Sequence, residues 1–565
     1  MKRAPREWTL PPPTGAISGS AFERVTGARG TTPELALAAS KSVGEEFDPW
    51  LLTDMEQAVE LIRGAMARDE LIAIYGDYDA DGVTACALLV RAFRAAGREP
   101  LAYIPQRQSE GYGLNRDALV ELRRQGASLV ITVDCGTTAV EVVRDRPDGL
   151  ALIVTDHHLP HAEPGDGEVE LAPADALVNP QRPNDRYPWK GLAGVGVAYK
   201  LVVALEMSGL VPNGTAAAQL PLVALGTVAD MMPLQEENRW LVRQGLVAWP
   251  QQAPRGLALL ARSAGVEGPP SSGNLSFGLA PRLNAAGRME DAFLALRCCL
   301  EDDEDEAKQA VAKLELLNQS RRSALAEALT RARAAVAEMA DELPAIVFGS
   351  AEIIPGVVGL VAGRLAEEFS RPAFIYSQTG QEWRGSARGV AGLNVVEALR
   401  RCSDHLLAYG GHLSAGGFSL PADAAAADAF AAAMMMAARA QLGDREPCRA
   451  FKIDAEVNLG ECSLRLADEL CLLQPCGTGN PAVLLCASGC TVVRTEVLGK
   501  TGGHLKVILK DVTGNAESIS FNRPHLRAHL PAGRKVDALF ELEVDSWGGR
   551  RRPRLMLRDL RPARH

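Results

Sequence analysis

Tyr75-Gly76-Asp77-Tyr78-Asp79-Ala80-Asp81-Gly82-Val83-Thr84 sets three alternating aspartates where a short apolar run, Leu71 to Tyr75, gives way to a helix-compatible segment. A continuous apolar run of this length suits a strand buried on both faces, and open α/β sheets gather their chemistry at strand carboxyl ends. Three carboxylates in one turn repel each other unless a cation neutralises them or one takes up a proton. The spacing superficially matches a calcium loop. That loop needs a bidentate Glu at its twelfth position, and the residue there is Leu88. The remaining bland reading is a solvated acidic turn.

Two further strand-like runs end in the same way. Leu129 to Val133 is followed by Asp134-Cys135-Gly136, and Leu150 to Thr155 by Asp156-His157-His158. Asp230 closes another apolar run, Gly226-Thr227-Val228-Ala229. Singly, an aspartate after a strand is usually a cap and a histidine usually structural. Successive strand ends of one sheet would instead bring these groups to one edge. Carboxylates with one imidazole form a hard O/N donor set that favours Mn²⁺ or Mg²⁺ over thiophilic metals. A carboxylate shared between two such ions is the arrangement of two-metal phosphoester hydrolysis.

Outside this half, the pattern changes twice. From Glu301 to Leu343 the chain has helical spacing with neither Gly nor Pro, which reads as a long helix or helical pair connecting two domains. A second α/β segment follows to about Leu442, and alternating runs such as His504 to Leu509 and Ala538 to Val544 read as antiparallel strands of a small β-barrel. The 565 residues suit three or four domains, and 47% hydrophobic with 23% charged positions excludes a mainly disordered chain. No apolar run approaches the roughly 20 residues of a membrane span, no secretory h-region opens the chain, and eleven cysteines without regular spacing suit a reducing cytoplasm. Cys471, Cys476, Cys486 and Cys490 lack the intervals of a zinc knuckle. A net charge of −10 argues against a protein that coats nucleic acid, until it is counted by region. Residues 490–565 carry 15 Lys/Arg against 8 Asp/Glu, a local surplus of +7 that leaves −17 elsewhere. The surplus includes Arg550, Arg551, Arg552 and Arg554 beside Trp547, a composition suited to tracking a single strand.

In their order, Asp77-x-Asp79-x-Asp81-Gly82, Asp134, Asp156-His157-His158 and Asp230 resemble motifs I to IV of the DHH phosphoesterase superfamily. Within that superfamily, further stretches resemble the bacterial RecJ family. These are Ile104-Pro105-x-Arg107-x-x-Glu110-Gly111-Tyr112-Gly113-Leu114, Ala280 to Met289 (APRLNAAGRM), Arg384-Gly385-Ser386-Ala387-Arg388, Gly410-Gly411-His412, and Leu473-Gln474-Pro475-x-Gly477-x-Gly479-Asn480-Pro481. The resemblance implies a parallel-sheet α/β DHH domain over 45–295 and a helical connector over 296–343. A second α/β domain, DHHA1, would span 344–448, and an OB-fold β-barrel for single-strand binding 449–565.

By the same resemblance, the activity is a single-stranded-DNA-specific 5′ to 3′ exonuclease, acting in repair and recombination and releasing 5′-mononucleotides with two Mn²⁺ or Mg²⁺ ions. Asp79 and Asp134 would hold one ion. Asp81, Asp134, His157 and Asp230 would hold the other, with Asp134 bridging. Asp77, Asp156 and His158 would act catalytically, either behind the ligands or by polarising the scissile phosphate. Arg107, Ser386 and Arg388 would bind the terminal 5′-phosphate; Arg282, Asn284 and Arg288 the strand backbone; Gly411 and His412 the region of the scissile phosphate. The partners implied are single-stranded DNA with a free 5′ end, a helicase and single-strand-binding protein, with no membrane and a cytoplasmic location. One departure is local: the family's aromatic-His-Pro-Gly reads Ile353-Ile354-Pro355-Gly356, so a phosphate contact expected from that His is missing. Two other functions compete: a DHH-family oligonucleotide or cyclic-dinucleotide phosphodiesterase, and a non-catalytic DNA-binding replisome scaffold. Substrate length separates the first, and the metal-capable side chain at every ligand position argues against the second.

Overall fold

Ile72 to Tyr75 are all buried, so the strand Leu71–Tyr75 (β1) is covered on both faces, as its uninterrupted apolar sequence requires. A computed structural model describes residues 1, 6–10, 19–41, 46–106, 110–111, 113–160, 169–443, 447–499, 502–521, 523–545 and 550–563. Arg107 and Trp547, singled out in the sequence, lie outside the described residues. After β1 come the helix Ala80–Ala95 (α1) and the strands Leu101–Tyr103 (β2), Ala127–Val133 (β3), Ala151–Thr155 (β4) and Ala176–Val178 (β5). They form one five-stranded parallel sheet in the order β2-β1-β3-β4-β5. Tyr75 lies beside Thr132, Val133 beside Thr155, and Thr155 beside Val178. The strands therefore end in phase, and the residue after each emerges at the same edge.

Helices Gly194–Met207 (α2) and Leu220–Ala229 (α3) are buried over most of their length and pack on α1. The run ending at Asp230 is thus the last turn of a helix rather than a strand like the other three. An all-apolar segment has no period to distinguish the two, and α3 is apolar all round because it lies inside the domain. Helix Ala280–Met289 (α4) precedes a single 35-residue helix, Glu304–Glu338 (α5), about 52 Å long at 1.5 Å per residue. Asp303 caps α5 by accepting from the amides of Asp305 and Glu306, and Glu304, Asp305 and Glu306 sit favourably at its positive end.

The second sheet contains Ile346–Ser350 (β6), Ala373–Ser377 (β7), Glu382–Arg388 (β8), Ala408–Gly411 (β9) and Ala415–Pro421 (β10), ordered β9-β10-β8-β7-β6. Helix Val358–Phe369 (α6) connects β6 to β7, the one parallel pair. Ser386 and Arg388 therefore lie on a strand, not in the turn that their flanking glycines suggest. Gly385 is there because the Phe418 ring of β10 lies over it; a Cβ would sit 2.2 Å from that ring.

These two sheets belong to one packed unit, Met1–Arg6, Phe47–Met232 and Gln244–Arg449. The other unit comprises Glu7–Glu46, Pro233–Arg243 and Ala450–His565. Its strands are Ala455–Glu456 (β11), Leu485–Leu498 (β12), His504–Lys510 (β13), Asn515–Ser520 (β14), Lys535–Asp545 (β15) and Arg552–Pro562 (β16). Pairing of β12 with both β13 and β15 closes a five-stranded barrel, and Phe22 and Val25 of the helix Ala21–Ala28 enter its core. Much of the arginine surplus is paired within this unit. Arg552 and Arg554 meet Asp545 at 2.9 and 3.2 Å, Arg558 meets Glu541 at 2.7 Å, and Arg551 meets Asp468. Fewer free cations are on offer than the count of charges implies.

Candidate active site

The acidic loop is held in shape by its own carboxylates. Asp79 caps α1, its Oδ1 accepting from the amides of Asp81 and Gly82 at 2.8 and 3.2 Å. Asp81, in the first turn of the helix, accepts from the amides of Gly194 and Val195 at 2.7 and 3.0 Å, so the positive end of α2 points at it. This approach depends on Gly194, where a Cβ would lie 2.5 Å from Asp134 Oδ1. Asn284 of α4 closes the loop from the other side, accepting from the Ala80 amide at 2.7 Å.

Asp134 and Asp156 follow β3 and β4 directly. Asp134 has φ +62°, a left-handed conformation unusual for a non-glycine residue, which turns its side chain back over the sheet edge. Its Oδ1 lies 3.0 Å from His157 Nε2, which is 3.6 Å from Asp230 Oδ2 and 3.9 Å from Asp81 Oδ2. Ligand-capable atoms gather in three overlapping groups: Asp77, Asp79 and Asp134; Asp81, His157 and Asp230; Asp134, His157 and His158. Within each group they lie inside 4.8 Å of one another. All eight acidic and imidazole residues singled out in the sequence are thus brought to one sheet edge. Asp77 comes as close to Asp79 and Asp134 as a ligand would.

Asp156 has a different position. Its Oδ1 accepts from the amides of His157 and His158 and faces His158 Nδ1 at 2.8 Å, while Oδ2 accepts from the Thr137 amide at 2.9 Å. Both oxygens are occupied by protein donors. Burial pushes its carboxyl up, yet the His158 bond and the two imidazoles hold it below the ordinary aspartate range. Burial pulls His158 down, and the bond to Asp156 with nearby Asp230 outweighs this, leaving it at about 9. His157 is the opposite case: burial, then charged His158, bring it to about 4. At neutral pH one imidazole is therefore a cation and its neighbour a neutral ligand.

Burial, with Asp79 alongside, pushes Asp81 up to about 7. Asp134 and Asp230 are raised well above the ordinary range by burial and then by Asp81 and Asp79. Asp134 Oδ1 and His157 Nε2 are buried and, despite their 3.0 Å separation, make no hydrogen bond among the described residues. Crowded carboxylates, a neutral imidazole and two orphaned buried atoms fit a divalent cation better than they fit each other.

The remaining candidates fall into two sets. Near the loop, Gly287 of α4 backs onto the Tyr78 carbonyl, and Arg288 reaches the Gly356 carbonyl at 3.4 Å. Arg282 pairs with Glu315 at 2.7 Å. On the second sheet, Ser386 Oγ lies 3.3 Å from Arg388 Nη1, and both side chains border the first turn of α6 at Gly359. Gly411 has φ +137° in the β9–β10 hairpin, and exposed His412 follows it. Burial, then Arg388 and His158, lower the His412 imidazole, so the two sets lie within electrostatic reach. At the substituted motif, Ile353 is fully buried and Ile354 is partly exposed. Sequence reasoning missed Gly194 and Asn179. The latter is fully buried and donates to Thr137 Oγ1 and the His158 carbonyl at 2.8 and 2.9 Å. An Asn-Pro closing the apolar run after Asp156-His157-His158 was the available signal.

Residues 71–227 match the DHH family N-terminal domain, 334–439 the DHHA1 domain, and 453–559 the RecJ OB domain. The single-stranded-DNA-specific exonuclease RecJ of Dickeya dadantii is 34% identical over 540 residues, covering 91% of this chain and 92% of that protein. This chain belongs to the RecJ family. RecJ of Bacillus subtilis is 33% identical over 91% of the chain, which spans 64% of that longer relative. Among solved structures, RecJ of Thermus thermophilus in complex with Mn²⁺ superposes with a TM-score of 0.79 at 32% identity, covering 99% of this chain and 80% of that one. A Mg²⁺ complex of the same RecJ gives 0.75.

Proposed function

We propose that this RecJ-family chain degrades single-stranded DNA from its 5′ end, hydrolysing one phosphodiester at a time and releasing 5′-mononucleotides. The observation that carries the reading is that the in-phase strand ends and the end of α3 bring five aspartates and two histidines into overlapping ligand groups, with two buried atoms unsatisfied. Asp77, Asp79 and Asp134 would hold one Mn²⁺ or Mg²⁺, and Asp81, His157, Asp230 and the shared Asp134 the other. Ions so held supply a water of lowered pKa and compensate charge on the phosphoryl oxygens.

The chain's own groups do the rest. Gly194 and Val195 amides fix Asp81, and Asn179 and Asp156 fix the His157-His158 pair. Cationic His158 stabilises charge as it builds on the phosphate. Ser386 and Arg388 receive the terminal 5′-phosphate, where a continuing chain would not fit, and a guanidinium fork matches its oxygens. Arg107 joins them in this proposal, as do Arg282, Asn284 and Arg288 along the strand and Gly411 and His412 beside the scissile group. The barrel holds the following single strand. A helicase and single-strand-binding protein are the proposed macromolecular partners, in a cytoplasmic role in repair and recombination.

A time course on single-stranded DNA labelled at either end, with and without Mn²⁺, tests this. Mononucleotides released first from the 5′ label, and only with metal, are expected. Release from the 3′ label, or cleavage confined to dinucleotides, would overturn it.

A further inference from the structure

Four arginines, Arg282, Arg321, Arg322 and Arg364, come from three helices, α4, α5 and α6. Arg282 of α4 pairs with Glu315 of α5 at 2.7 Å. Glu315, Asn318 and Arg322 follow one another at helical spacing on one face of α5. Arg321 donates to buried Asn318 at 2.8 Å, and its own Nε is buried without a hydrogen bond among the described residues. Among the described residues, exposed Arg364 of α6 pairs with Glu367 alone, at 3.6 Å, and that carboxylate is also bound by Arg449 at 2.8 Å.

The rest of α5 is different. Lys308 meets Glu304, Lys313 meets Glu290, Arg331 meets Glu352 and Arg333 meets Glu368. Arg321 and Arg322 make no ion pair among the described residues. Burial, and after it Arg322, Arg282 and Arg364, lower the Arg321 guanidinium, so each of the three lies within reach of its charge. Like charges held close together are unfavourable unless an anion completes the cluster, and guanidinium forks match phosphate oxygens.

We propose that Arg321, Arg322 and Arg364, together with Arg282, bind a backbone phosphate of the single strand 3′ of the nucleotide being removed. The proposal rests on the nuclease reading and extends it. α4 carries Asn284 at the acidic loop and Arg282 two residues away, so one short helix joins the cleavage point to the cluster. The terminal phosphate has its own candidate partners on β8.

The test is strand affinity, read by fluorescence anisotropy in chelator across a potassium chloride series. Arg322→Ala and Arg364→Ala change exposed side chains and are checked for an unaltered thermal transition. Arg333→Ala, whose charge is paired with Glu368 at 2.8 Å, is the control. Each cluster variant should flatten the slope of log affinity against log salt by about 0.7 for every phosphate that is no longer neutralised. The control should keep the wild-type slope, and the weakening should show only once the strand is long enough to reach the cluster. An unchanged slope, or equal weakening on short and long strands, would overturn the arginine site while leaving the nuclease reading intact. A wild-type chain that neither binds nor cleaves single strands would remove both.

Discussion

Asp134 is the residue on which the candidate site turns. It belongs to two of the three ligand groups, carries an orphaned buried oxygen, and holds a left-handed backbone angle uncommon outside glycine. Asp134→Ala is expected to abolish Mn²⁺-dependent hydrolysis while strand binding persists, measured as turnover and as anisotropy on the same oligonucleotide. Wild-type turnover in this variant would remove Asp134 from between the ions. The contrast with Asp156 is instructive, because the two look alike in sequence: both are aspartates directly after a buried strand. Asp156 is filled by protein donors and Asp134 is not. That difference depends on Thr137, which follows Gly136, and on the local turn of the Asp-His-His segment, neither of which spacing reveals.

At the scale of elements, α2 matters more than its sequence suggests. Its first amides bind Asp81, and its first residue must lack a Cβ. Gly194→Ala should be well tolerated by the helix itself, since Ala is the better helix former. It should nonetheless weaken Mn²⁺ binding about 10- to 100-fold, the usual cost of disturbing the groups that orient a ligand. Titration calorimetry with Mn²⁺ checks this, and unchanged affinity would show that Asp134 can move aside. Elements with a clear period or a continuous buried run were legible: β1, β3, β4, the connecting helix and the barrel strands all follow from pattern. Two were not. The run before Asp230 is apolar on every side and so could not be told from a strand, and Gly385 before Ser386 marks an overlying phenylalanine rather than a turn. Of the site, the residues that carry charge were legible, whereas the backbone amides and the buried Asn179 that hold them were not, because amides have no letter in a sequence.

For the molecule as a whole, the cluster couples stability to pH and to metal. Without metal, Asp81, at about 7, and Asp134 and Asp230, raised well above the ordinary aspartate range by burial, keep protons in the folded state that unfolded aspartates lose near ~3.9. Their contribution to stability therefore falls as pH rises from ~4 toward 7. His157, neutral above about 4 when folded and protonated below ~6.5 when unfolded, acts with the opposite sign but is one group against three. Below ~6.5, His158 is protonated in both states and adds no slope. Divalent metal displaces the protons, so Mn²⁺ should raise the melting temperature more at pH 8 than at pH 5. Differential scanning calorimetry at both values decides it, and an equal rise would mean that the carboxylates are already ionised.

One short helix, α4, touches the acidic loop through Asn284 and the Gly356 segment ahead of α6 through Arg288, the two residues lying one turn apart. A turn of helix, about 5.4 Å, can neither stretch nor slip without breaking its own hydrogen bonds. In such an arrangement the helix works as a gauge block. On the proposed reading it would fix the interval between the Gly356 segment, ahead of the helix that borders Ser386 and Arg388, and the acidic loop. On that reading, product size would be a property of helix pitch, set before any substrate arrives.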